Sequence, residues 1–150
     1  MKIWCLGNVL LGDDAVGCRV AELLNEKNKK NGKNFLDVTD CGTTPENHLA
    51  SLRRQPPSAF LIVDAADMGL SPGEVRRLSI EELEAVATAS HNIPISLLLS
   101  PFAGAFEITV LGIQPATTKL GAALSEAVEN AARRVADLIE RGEWDMVEKM

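Results

Sequence analysis

Apolar positions along the chain fall into short unbroken runs alternating with runs of helical spacing. Residues 1–6 form an apolar run with strand character, and behind it Val16, Val20, Leu23 and Leu24 recur at the spacing of an amphipathic helix. The Lys- and Asn-rich segment 26–34 reads as the end of that helix plus a solvated loop. A second strand is expected over 35–39, closed by the turn-forming cluster Asp40-Cys41-Gly42-Thr43. A helix follows, opened by Thr44 and Pro45 and carried by Leu49 and Leu52 as far as Pro56. The run 59–63 is apolar without interruption, the mark of a central strand covered on both faces. Segment 74–78 alternates as an edge strand does, and Ser79 with Glu82 has capping-box spacing for a short helix. After a polar loop at 89–94 come an apolar helix over 95–99, stopped by Pro101, and a strand over 106–113. Gly112 in that strand implies a bend or a close approach. Leu120, Leu124, Val128, Ala131, Val135 and Leu138 mark a last amphipathic helix ending at Gly142, and the charged tail from Glu143 is expected to fray.

Strands alternating with helices in this order predict an α/β fold, a three-layer α/β/α sandwich whose twisted sheet is mostly parallel with one antiparallel edge. The 150 residues suit one domain over 1–150 with a core of its own. A net charge of -6 argues against nucleic acid or an anionic membrane as partner, and no apolar segment reaches membrane-spanning length. Cys5, Cys18 and Cys41 are odd in number and lack C-x-x-C spacing, which fits neither a disulfide framework nor a structural zinc site. With the lack of a leader-like N-terminus, this predicts a reduced, cytoplasmic protein.

The chemistry concentrates where strands end. Between the first strand and the first helix lies Gly7-Asn8-Val9-Leu10-Leu11-Gly12-Asp13-Asp14-Ala15-Val16-Gly17. Its G-x-x-x-x-G spacing opens as a phosphate-binding loop does, but Asp13-Asp14 replaces the Lys-Ser/Thr that would meet phosphate, and two carboxylates repel it. Asp13 suits an N-cap, with Asp14 in the first helical turn; the pair either attracts a cation or simply caps the helix. Asp64 ends the central strand abruptly, where a carboxylate needs a cation, hydrogen bonds, or a turn to cap. Asp14, Asp40 and Asp64 each follow a strand and are expected on one side of the sheet. With the imidazole of His91 in the later loop they make a ligand set suited to nickel, zinc or manganese. His48 reads as a surface or packing residue.

Gly7-Asn8 with 11–17, Asp40-Cys41-Gly42-Thr43, Ile62-Val63-Asp64-Ala65, Ser90-His91-Asn92 and Leu111-Gly112-Ile113-Gln114-Pro115 together resemble the nickel-iron hydrogenase maturation endopeptidases. The likeness runs in order over nearly the whole chain, and 64–74 is most similar to the branch serving formate-hydrogenlyase-type hydrogenases. The resemblance implies an aspartic-type endopeptidase that clips the C-terminal extension from a hydrogenase large-subunit precursor once nickel has been inserted. It also implies metal contacts at Asp14, Asp64 and His91, with nickel carried by the precursor and zinc or cadmium able to stand in for it. Asp40 is then a candidate general base. A non-catalytic nickel carrier or sensor would use the same ligands. Two departures stand out: Cys41 replaces a usual glycine, and the segment after His91 is short.

Overall fold

The computed structural model describes residues 1–32, 35–88 and 93–150. Five strands, β1 (Lys2–Leu6), β2 (Asp37–Gly42), β3 (Ala59–Ala65), β4 (Val75–Leu78) and β5 (Glu107–Ile113), form one sheet in the order β2-β1-β3-β5-β4. The first four positions pair in parallel, and β4 runs antiparallel along β5 at the edge. The mostly parallel sheet with an antiparallel edge agrees with the sequence pattern.

The unbroken apolar strands face two ways. Ile3, Cys5, Leu61, Val63, Leu111 and Ile113 join a core beneath helices α1 (Val16–Lys30) and α5 (Glu126–Arg141). Their neighbours Trp4, Leu6, Phe60, Ile62 and Val110 join a second core under the short helices α2 (Leu49–Arg54), α3 (Ile80–Val86) and α4 (Ile95–Leu99). Period-2 side-chain direction thus divides each strand between two layers of helix, which is why both faces must be apolar. Gly17 lets α1 lie against β1, since a Cβ there would stand 2.0 Å from the Leu6 carbonyl oxygen. Gly112 serves a close approach of the same kind: its Cβ would meet Leu78 Cδ1 at 2.6 Å. The Ser79–Glu82 capping box at the start of α3 is formed in both directions.

Four expectations are corrected. The second strand is shifted, because Asp40, Cys41 and Gly42 are drawn into the ladder beside Cys5 and Leu6 while Phe35 stays exposed; pairing overrides local turn chemistry. Asp13 is not an N-cap. Both acids lie in a 3-10 turn, Gly12–Ala15, and α1 is entered from Ala15 without a side-chain cap. The last helix begins at Glu126 and not near Leu120, since Ser125 is extended and its N–H and hydroxyl are both held by Asp13. Nor does the tail fray: Trp144 and Val147 pack on the core beneath α5, and residues 148–150 bond to the outer side of β4 through Arg77 N–H to Glu148 O (2.8 Å) and Met150 N–H to Arg77 O (3.0 Å).

Candidate functional site

The carboxyl ends of β1 and β2 open onto a cleft of about 440 Å³, lined among others by Asn8, Val9, Leu10, Cys18, Asp40 and His48. Crevices outside the carboxyl ends of parallel strands are where open α/β sheets bind ligands. Asp40 lies within β2, near its end, and not after it as expected. It is exposed, and its Oδ1 accepts from the Gly42 N–H at 3.1 Å. Asp64, at the tip of β3, is buried and accepts from the Ala65 N–H at 2.8 Å.

Asp14 is only 1% exposed. Its Oδ2 accepts from the Asn8 N–H at 2.8 Å, so the glycine-flanked turn wraps back on the carboxylate, and its Oδ1 accepts from the Thr88 hydroxyl. The three acids converge on one thiol. Burial, then the negative charges of Asp40, Asp14 and Asp64, push the Cys18 thiol up to about 12. Burial and Asp40 likewise push up Cys41, and burial with its neighbours pushes up Cys5. These cysteines are therefore protonated at neutral pH and poor nucleophiles. Asp14, Asp40 and Asp64 are expected on one side of the sheet; the charges of all three act on Cys18, and only Asp40 of the three lines the cleft.

His91 falls outside the described residues. Among the described residues no group of three His, Cys, Asp or Glu side chains is placed to hold a metal ion. The described donors at this edge are hard carboxylates.

Three buried or half-buried polar groups carry roles that patterning did not reveal. Asp13, fully buried, accepts at Oδ2 from the N–H groups of Ala116 (2.8 Å) and Thr117 (3.2 Å) and the Ser125 hydroxyl (2.8 Å), and at Oδ1 from the Ser125 N–H (2.7 Å). It is a clasp for the loop after β5, its two oxygens taken up by four donors from that loop. Gln114 does the same for the loop after Asp64: its Oε1 accepts from Met68 N–H (2.7 Å) and Leu70 N–H (3.2 Å). The signal for both was a polar residue inside an otherwise buried stretch, which demands partners. His48 packs edge-on against Trp4, as a packing histidine does, with ring centroids 6.3 Å apart; it also lines the cleft that Asp40 faces, which its sequence context did not suggest.

Comparison with known proteins agrees with this architecture. The profile of the HycI hydrogenase maturation proteases matches residues 18–142. The hydrogenase 3 maturation protease of Escherichia coli K12 is 34% identical over 138 residues, 91% of this chain and 86% of that protein. The solution structure of the endopeptidase HycI from Escherichia coli superposes with a TM-score of 0.84 at 30% identity, covering 99% of this chain and 94% of the other. The crystal structure of HycI from Thermococcus kodakarensis KOD1 does so with a TM-score of 0.81 at 29% identity, covering 95% and 90%. On profile, sequence and fold together, the chain belongs to the hydrogenase maturation protease family.

Proposed function

We propose that this chain is an endopeptidase that removes the C-terminal extension of a nickel-iron hydrogenase large-subunit precursor after nickel insertion. The nickel belongs to the substrate. The observation that carries the reading is the pairing of two buried carboxylates, Asp14 and Asp64, with an exposed one, Asp40, at one sheet edge where every thiol is held protonated. A buried carboxylate is costly without a counter-charge, and a cation brought by the partner would supply one. Asp14, Asp64 and His91 would therefore recognise the nickel-loaded precursor and set its scissile bond over the cleft.

Asp40 is the group suited to accept a proton. Its carboxylate is solvent-exposed and faces the same cleft, so a water beside it can lose a proton to it while the water oxygen attacks the scissile carbonyl. The proton then passes to the leaving amine, and the products are a new carboxyl terminus and the released extension. This is aspartic-type hydrolysis gated by the substrate's metal. Incubation of metal-free protein with nickel-loaded and nickel-free precursor, read by mass at the C-terminus, tests it. Shortening of the loaded form alone is expected; equal cleavage of both removes the gate, and metal transfer without shortening replaces the protease by a nickel carrier.

A further inference from the structure

Beside the acidic cleft the chain exposes three large apolar side chains, Val9 (67%), Leu10 (61%) and Leu120 (77%). Val9 and Leu10 stand in the turn after β1 and line the cleft itself; Leu120 is brought to them from the loop after β5. The two segments are bonded together. Gly121 N–H donates to Leu10 O at 2.8 Å, Asp13 N–H donates to Thr117 O at 2.8 Å, and the buried Asp13 carboxylate holds residues 116, 117 and 125 from below. Asn8 Oδ1 further accepts from the Leu10 N–H at 2.9 Å. The lip is thus fixed before any partner arrives, so little ordering entropy is lost on docking.

A fixed apolar patch rimming a polar cleft is unfavourable in water and is a mark of a protein-contact surface. We infer that Val9, Leu10 and Leu120 form the seat for an apolar stretch of the precursor's C-terminal segment, adjoining the nickel-bearing residues that enter the cleft. The inference rests on the function proposed above and adds its specificity-determining residues. Two features select this occupant. The patch is continuous with the cleft, sharing Val9 and Leu10, so a chain laid along the cleft past Asp40 runs against it. The charges also complement: Asp14, Asp40 and Asp64 call for a cation at one end of the bound segment, and the lip calls for apolar side chains at the other. A precursor whose flanking residues are polar would leave the lip unfilled, which gives discrimination among hydrogenases.

The test is a triple variant, Val9→Ser, Leu10→Ser and Leu120→Ser, with Met146→Ser as control. Met146 is equally exposed, but it belongs to the turn 144–146, which packs near Met1 and Ala59 at the opposite end of the strands. Affinity for nickel-loaded precursor is measured by calorimetry, and KM and kcat by C-terminal mass. The triple variant should raise Kd and KM by on the order of tenfold or more, since losing even one buried leucine contact is worth about that factor. Its kcat should stay within about twofold and its melting temperature should hold, because the three side chains touch solvent and not the core. Unchanged Kd overturns the inference, as does a wild-type protein that does not bind the precursor. If wild type is a dimer that the triple variant dissolves, the seat belongs to a second copy and the inference fails. If wild type binds but does not shorten the precursor, the protease reading fails, and loss of affinity in the variant still supports the seat.

Discussion

The Thr88 hydroxyl donates to Asp14 Oδ1, so a residue three positions ahead of His91 in the sequence is bonded to the first acid of the candidate site. With Asn8 N–H on Oδ2, each oxygen of this buried carboxylate has one donor among the described residues. Thr88→Val keeps the shape and removes the donor. Stability should fall by about 1–2 kcal/mol, the cost of leaving a buried acceptor short of a partner. Affinity for nickel-loaded precursor should hold or rise, since a competitor for Oδ1 is gone. Urea unfolding and a titration with nickel-loaded precursor check both; a loss of affinity as large as that of Asp14→Ala would make Thr88 a positioning residue for Asp14.

Asp13 and its neighbour Asp14 should separate cleanly on mutation. Asp13→Ala strands four donors and is expected to cost about 3 kcal/mol or more. Asp13→Asn can keep the oxygen that serves Ala116, Thr117 and the Ser125 hydroxyl, but turns its NH2 toward the Ser125 N–H, a donor facing a donor. About 2 kcal/mol is then lost, still measurable by denaturant midpoint. Asp64→Asn and Asp14→Asn should instead be read in precursor cleavage.

That contrast marks the limit of what the sequence conveyed. The layered fold was legible because apolar runs of strand length alternate with helical spacing, and Asp64 was legible because a charge ends a buried run. Asp13 and Asp14 look alike in sequence, and only the return of the 116–125 loop decides that one clasps that loop while the other is bonded to Asn8 and Thr88. Leu120 and Leu124 continue the helical spacing of α5 in register, so the helix start was invisible until Ser125 was seen captured by Asp13. Long-range hydrogen bonds leave no periodicity. The tail misled for a related reason: its charges face outward while its backbone completes the sheet edge beside Arg77.

The ion pair between α1 and α5 should give an acid limb to stability. Arg19 Nε meets Glu129 Oε1 at 2.8 Å and Nη2 meets Oε2 at 3.2 Å, with both side chains only about a quarter exposed (25% and 27%). Arg19 first, and Arg133 after it, holds the Glu129 carboxyl below its ordinary value. A lowered folded pKa means stability that is complete above the unfolded value and lost as pH falls through the folded one. Arg19→Met should therefore cost about 1 kcal/mol at pH 7 and progressively less below about pH 4, when Glu129 is protonated in both proteins. Unfolding midpoints of the two proteins across that range decide it; a constant gap would assign the loss to packing of the arginine stem.

The thiols supply the sharpest test of the reaction class. Cys18 lines the cleft, and Cys41 lies beside Asp40, so either is positioned to be mistaken for a nucleophile. The structure argues otherwise, because burial is the largest cause of the raised Cys18 pKa and the carboxylates add to it. At about 12, the thiolate fraction near pH 7.5 is on the order of one in 10⁴ to 10⁵, too little for attack on an amide. A cation docking on Asp14 and Asp64 relieves only their contributions, while burial, the largest single cause, and the nearby Asp40 remain. Native protein should thus resist iodoacetamide at pH 7.5 with or without nickel-loaded precursor, while all three cysteines react in urea. Cys18→Ala and Cys41→Ala should each retain cleavage within a few-fold. If Cys41→Ala folds normally, binds precursor and yet leaves it uncut, the nucleophile is the thiol and Asp40 is relegated to activating it.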